Sequence, residues 1–435
     1  MKRHRAGGVI AKYLLLMLMI ALLFAFFVWK QSYGTIGHVE HIEGSTAGKI
    51  AFLRSTDGRT DLFLVDAAGG QASPLTNDGT AKRAPAWAPD GRQICYAAEP
   101  PAGEGGRAFQ LFLVGSSSPT QATYGSLSKD QPLWRADGKQ IAFLTGGVVK
   151  VIAPNGSGLD QLYPRPRKKA AGEADGHDHE EGEDEEGEGK RPPIMTYRWS
   201  PNGKSIAAVE VTEGENALTI GTPRWWDEQE KSAVARQTES APRVAEPERV
   251  VLIRDVDEGG ALRLPGAAAN RVGVFWYPDG IHLGVSMSTR EGAHGIALYR
   301  ADDPQANPTG LFAAAGYTAA PENPALSPDG KWLAFELWRM ESPENRTLLG
   351  IAVVSAEPAT PHRVLSCADV SRLPVRIRGN AQRPQWSPDG KRLLYIMPGA
   401  QGRDIWVANA DGTNPVNLTR GVGDNFDAVW SPALR

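Results

Sequence analysis

Histidine, cysteine and serine are the residues through which catalysis or metal binding would first show in this 435-residue sequence. Of its eight histidines, His4, His38 and His41 precede residue 49, while His177 and His179 sit in a run of ten carboxylates between Glu173 and Glu188. His177-Asp178-His179-Glu180 offers donors that a metal ion takes. A metal site needs those donors held in fixed geometry, and so acidic a stretch cannot bury enough apolar surface to hold them. His282, His294 and His362 fall in different segments without ligand spacing, and no G-x-S-x-G elbow is present. Asn409-Ala410-Asp411-Gly412-Thr413-Asn414 lacks the bidentate glutamate of a calcium loop. These patterns predict no metal, no cofactor and no catalytic residue. What remains is recognition chemistry. Trp225 and Trp226, adjacent in an otherwise polar stretch, are the predicted partner-binding residues, because tryptophan is over-represented among interface hot spots. Packing of both rings on the rim of the domain is the competing expectation.

Other carboxylates recur on a schedule. Asp90, Asp137, Asp279, Asp329 and Asp389 occupy one position of a repeated phrase that begins at Trp87 (WAPDGRQICYA), Trp134 (WRADGKQIAFL), Trp199 (WSPNGKSIAAV), Trp276 (WYPDGIHLGVS), Leu326 (LSPDGKWLAFE) and Trp386 (WSPDGKRLLYI). A shortened copy, Trp430-Ser431-Pro432, ends the chain, and the spacings are 47, 65, 77, 50, 60 and 44 residues. A carboxylate that returns at one turn position is structural. Proline presets φ, aspartate accepts from its own backbone and glycine takes the positive φ. Apolar residues then alternate, as in Ile141 and Phe143 or Leu333 and Phe335, which is the period of a half-buried strand. One tryptophan per unit is expected to pack between neighbouring sheets. Abundant glycine (48) and proline (32) serve the many turns such a chain requires.

Each unit reads as four strands, the third resembling Asp404-Ile405-Trp406-Val407 and the fourth Pro415-Val416-Asn417-Leu418-Thr419. Lys49 to Leu53 looks like a second strand with no tryptophan turn before it, and Trp430 to Pro432 like a turn with no strand after it. The two halves complete one unit, so the ring is expected to close by pairing the end of the chain with its beginning. The count predicts an all-β, seven-bladed propeller over residues 49–435, with six or eight blades as alternatives. WSPDGK at 386–391, followed by DIWVANADGTNPVNLT at 404–419, resembles the TolB-type, WD40-like β-propeller repeat. The resemblance covers about residues 49 to 435 and implies the fold rather than a function. TolB itself has a small α/β domain before six blades; neither feature is expected here. Propellers of this type also precede the hydrolase domain of prolyl-oligopeptidase-like peptidases, and none is expected after Arg435.

Residues 1–8 form a basic tail with Lys2, Arg3 and Arg5, and residues 9–29 are apolar apart from Lys12 and Tyr13. A helix of that length spans roughly 30 Å, enough for a bilayer core. No small-residue cleavage site follows Phe26-Phe27-Val28-Trp29-Lys30, so an uncleaved transmembrane signal anchor is predicted. Its basic end stays in the cytoplasm, residues 30–48 are a linker, and the propeller lies in the periplasm or outside the cell. Two insertions interrupt the repeats. Residues 164–192 form the acidic stretch, predicted disordered, and residues 212–248 contain Thr222-Pro223, a helix-start signal, before the paired tryptophans. Both connections belong to the same face of a propeller. Net charge −3 argues against a nucleic-acid binder. Cys95 reads as a buried thiol, with pairing to Cys367 left open. The function expected is a membrane-tethered, non-catalytic scaffold for protein interaction or ligand sensing, with protein partners at the loop face. The alternative is a polysaccharide lyase or glycosidase working in the central channel.

Overall fold

The computed structural model describes residues 48–100, 108–163, 193–211, 248–253, 256–257, 260–269, 271–288, 293–315, 319–341, 345–356, 365–366 and 374–433. Their strands form seven antiparallel sheets, which we number as blades in chain order. The innermost strands are Asp424–Trp430 (blade 1), Lys82–Trp87 (blade 2), Asp130–Trp134 (blade 3), Ile194–Trp199 (blade 4), Arg271–Trp276 (blade 5), Ala320–Leu326 (blade 6) and Gln382–Trp386 (blade 7). The fold is thus an all-β, seven-bladed propeller. Among the described residues no helix is long and apolar enough to cross a membrane. The apolar run 9–29, Trp225, Trp226, His177, His179, His362 and Cys367 lie outside the described residues.

The repeated phrase folds as one turn in blades 2 to 7. In blade 7, Ser387 Oγ donates to Asp389 Oδ1 at 2.5 Å, while Lys391 N and Arg392 N donate to Asp389 Oδ1 (3.1 Å) and Ser387 Oγ (2.9 Å). Gly390, at φ 70°, closes the turn, a conformation that disfavours any side chain. The recurring aspartates are therefore turn residues, as their schedule predicts. The tryptophans bridge blades. Each indole Nε1 donates to the carbonyl of the residue just before the corresponding position of the preceding blade: Trp87 to Val429 (3.4 Å), Trp134 to Ala86 (3.1 Å), Trp199 to Leu133 (3.3 Å), Trp276 to Arg198 (3.1 Å) and Trp386 to Ala325 (2.9 Å). Leu326 has no indole to offer, and the buried Nε1 of Trp430 finds no acceptor. A tryptophan suits this place because its body fills the apolar gap between sheets while its N–H satisfies a carbonyl at a strand edge.

The ring closes through blade 1. Asp424–Trp430 pairs with Lys49–Thr56, with Trp430 opposite Ile50 and Asp424 opposite Ser55. Ser431 N donates to Lys49 O at 2.9 Å, and Lys49 N to Ser431 Oγ at 3.2 Å. Arg403 of blade 7 clamps Asp424 with two side-chain bonds of 2.8 and 2.6 Å. Blade 5 departs from the four-strand expectation. The short segment Leu365–Ser366, from the connection leaving the third strand of blade 6, adds to it in parallel beside Thr309–Ala315. The described roots of the two insertions meet. Tyr163 OH donates to Glu210 Oε1 at 2.7 Å, and Val211 N to Pro193 O at 3.0 Å.

Candidate functional site

The seven innermost strands surround a central channel of about 1160 Å³. Their inner edges have no neighbouring strand, so the sequence must dispose of open backbone groups there. It does so with a bulge. In blades 1, 2, 3, 6 and 7 the register slips by one residue just before the tryptophan position. The bulged residues Asp427, Ala84, Gln131, Asn323 and Arg383 all take φ between 47° and 53°. In four of these blades a proline follows directly: Pro85, Pro132, Pro324 and Pro384. Proline carries no N–H, so it suits an edge or a bulge. Blade 4 bulges earlier, between Ile194 and Thr196, and blade 5 keeps an unbroken register through Gly273. A Cβ on Gly273 would stand 2.6 Å from Ser286 Oγ, so a larger residue there would displace that hydroxyl.

Polar groups on the channel are matched to one another around most of the ring. Asp427 accepts from Arg383 Nη1 at 3.2 Å through Oδ1 and from Ala84 N at 3.0 Å through Oδ2, joining blades 7, 1 and 2. Glu336, 2% exposed, accepts from Asn323 Nδ2 (2.7 Å), Arg383 N (2.8 Å) and Trp338 Nε1 (3.1 Å), so it fixes the bulges of blades 6 and 7 together. Glu322 is held by Arg346 at 2.6 Å. Gln131 Nε2 donates to Met195 O at 2.9 Å, and Tyr197 OH returns a bond of 2.7 Å to Gln131 O.

Arg198 is the departure. Its side chain is exposed, and what it is exposed to is the channel that it lines. Two side-chain bonds come from Nη1, to Tyr197 O at 2.9 Å and to Thr196 Oγ1 at 3.4 Å, on its own strand. Desolvation by the surrounding protein pulls its pKa below the ordinary arginine value, and Tyr197 opposes that pull. The place just before the tryptophan position is held in the other blades by Val429, Ala86, Leu133, Phe275, Ala325 and Gln385. A cation there breaks the pattern, and that break was the available sequence signal for a residue the sequence reading passes over. His282 and His294, the described histidines of the propeller, are not brought together. His282 bonds Asp279 at 2.6 Å in the turn that follows Trp276, whereas His294 is buried in blade 5, where desolvation pushes its pKa down to about 4. Among the described residues no group of three His, Cys, Asp or Glu side chains is placed to hold a metal ion. Cys95 is buried and free, with burial raising its pKa.

No family model matches the chain. A stretch of 73 residues is 36% identical to dipeptidyl-peptidase 5 of Aspergillus fumigatus, covering 17% of this chain and 10% of that protein. The chain thus spans about a tenth of the length of the curated relatives it matches. The propeller domain of the trilobed protease from Pyrococcus furiosus superposes with a TM-score of 0.50 at 8% identity, covering 88% of this chain and 99% of that one. That domain is described as having an open velcro topology, whereas blade 1 here is closed by Asp424–Trp430. TolB from Acinetobacter baumannii superposes with a TM-score of 0.45 at 13% identity over 92% of this chain and 89% of that one. The architecture is that of a seven-bladed β-propeller. The expected function needs correction. The relatives matched in sequence are dipeptidyl-peptidases, which points to a peptidase-type enzyme rather than the expected non-catalytic scaffold. Physically, recurrence of the turn aspartates speaks to the scaffold of the repeat and is silent on what the channel admits.

Proposed function

We propose that this propeller serves a peptidase-type enzyme and receives peptide in its central channel. The observation that carries this reading is the 73-residue match, at 36% identity, to a dipeptidyl-peptidase. The channel supports it in two ways. Its volume of about 1160 Å³ exceeds the roughly 300–1,000 Å³ of ordinary small-molecule pockets. Its wall also presents amide, hydroxyl and guanidinium groups of the kind that bind peptide backbones and termini, from Gln131, Thr196, Asn323 and Arg198. The test is an assay of the full chain, purified with whatever it retains from its native membrane, against a panel of chromogenic dipeptide anilides. Hydrolysis that co-purifies with the chain is the expected result. Its absence across the panel, from a preparation that melts cooperatively, would remove the peptidase reading.

In the same proposal, residues 9–29 anchor the chain in a membrane and the propeller works outside the cytoplasm. The basic tail and the length of the apolar run support this. Protease added to spheroplasts should digest the propeller; protection until lysis would reverse the orientation.

A further inference from the structure

We infer that Arg198 forms a carboxylate-binding site inside the channel, and that the group it takes is the C-terminal carboxylate of a bound peptide. The inference rests on the peptide reading above and adds to it which end of the peptide is recognised and by what.

Charge accounting leads to the residue. Four charged residues line the channel among those described: Arg198, Glu322, Arg383 and Asp427. Asp427 is paired with Arg383 and Glu322 with Arg346. Arg83, from the channel strand of blade 2, is likewise paired with Asp130 at 3.2 Å. Among the described residues each carboxylate on the wall therefore already has its own arginine, and the charge of Arg198 is left without a counterion. A guanidinium exposed to the channel without a counterion is available to an anion, and desolvation by the surrounding protein lowers its pKa.

Geometry then selects the ligand. Arg198 spends Nη1 on its own strand, at Tyr197 O and Thr196 Oγ1. Among the described residues nothing takes Nε–H or Nη2–H, and these two parallel donors form the side-on fork that a carboxylate fits with both oxygens. The adjoining wall is apolar, built from Trp199, Phe275 and Trp276, and charge-assisted hydrogen bonds are roughly twice as strong as neutral ones. One cation balances one carboxylate. A phosphate, carrying nearly two negative charges, would be left half-compensated, with Glu322 and Asp427 on the same wall opposing it. The regular wall of blade 5, kept thin by Gly273, lies next to this strand.

Calorimetric titration of the full chain tests the site with two probes, the tripeptide Ala-Ala-Phe and its C-terminal amide. The acid should bind at least tenfold more tightly than the amide. Arg198→Gln should erase that preference at unchanged Tm, and Arg198→Lys should retain part of it, because lysine keeps the charge and loses the fork. A third probe, acetyl-Ala-Glu-Ala-amide, carries its carboxylate on a side chain. Binding of this probe that matches the acid and depends equally on Arg198 would overturn the assignment to the C-terminus. Equal affinity for acid and amide in the native chain, or a preference that survives Arg198→Gln, would overturn the site altogether while leaving peptide entry intact. Propionate separates the two proposals. If no peptide binds, yet propionate raises the Tm of the native chain and not of Arg198→Gln, the carboxylate site stands and the peptide reading falls.

Discussion

Blades 7, 1 and 2 differ from blades 4 and 5 in how completely they spend their polar groups. On the first arc each blade latches its outer strand with one device. Thr419 Oγ1 donates to Asp404 Oδ1 (2.7 Å) and accepts from Ile405 N (3.0 Å). Thr76 does the same with Asp61 and Leu62 (both 2.9 Å), and Thr123 with Gln110 and Leu111 (3.1 and 2.8 Å). The same arc carries the left-handed bulges at Arg383, Asp427 and Ala84, cross-linked through Asp427. Among the described residues, blades 4 and 5 have neither the left-handed residue at that point nor a carboxylate paired with Arg198, whose guanidinium bonds its own strand. The difference teaches that in a repeat fold the recurring polar residues hold the ring, and the copy that breaks rank is where a ligand can be met.

The comparison is broken most severely from the regular arc. Removing residues 424–433 strips blade 1 of its innermost strand, exposes the edge of Lys49–Thr56 and should abolish cooperative unfolding in calorimetry. A truncated chain that melts like its parent would refute closure. Next comes Trp386→Ala, which empties an inter-blade site and orphans the Ala325 carbonyl; a loss of about 3–5 kcal/mol in urea unfolding is expected. Trp386→Leu should cost less, because Leu326 fills the equivalent place in blade 6.

The irregular arc has its own signature in acid. The pKa of His294 in the folded chain is about 4, below the ordinary value near 6.5. Between these values the unfolded chain takes up a proton that the folded chain refuses, so this stabilisation is full above about pH 6.5 and is lost as pH falls through about 4. The contribution is at most about 3 kcal/mol, and His294→Gln should flatten the Tm profile over that range; parallel profiles would refute it. The smallest effect returns to the regular arc. Thr419→Val removes a hydroxyl that serves Asp404 and Ile405 N at once, and should cost about 1–3 kcal/mol by denaturant titration.

The blades were legible because Trp, Pro-Asp-Gly and period-two strands recur with fixed offsets, and each is tied to one backbone demand. The closure was legible from two half-units, Lys49 to Leu53 and Trp430 to Pro432. The bulges were not, because Ala84, Gln131, Asn323, Arg383 and Asp427 share a conformation and no side-chain type; a trailing proline marks four of the five. Leu365–Ser366 was not legible either, since two residues carry no periodicity. Arg198 escaped for a different reason. A search for repetition discards the single residue that does not repeat, and the importance of this one comes from neighbours more than 100 residues away, such as Glu322 and Arg346, that neutralise each other and leave it alone.

Closure by the last strand also fixes the order in which the molecule can be made. Ser431 meets Lys49 across 382 residues of chain, a gap the ribosome takes roughly 20 to 80 seconds to fill. Blades 2 to 7 can assemble from contiguous sequence as they emerge. Blade 1 must wait half-built, with Phe52 and Leu53 lacking their final cover. A message broken near its 3′ end would therefore yield six finished blades and one adhesive edge, a product that quality control has to recognise by that edge.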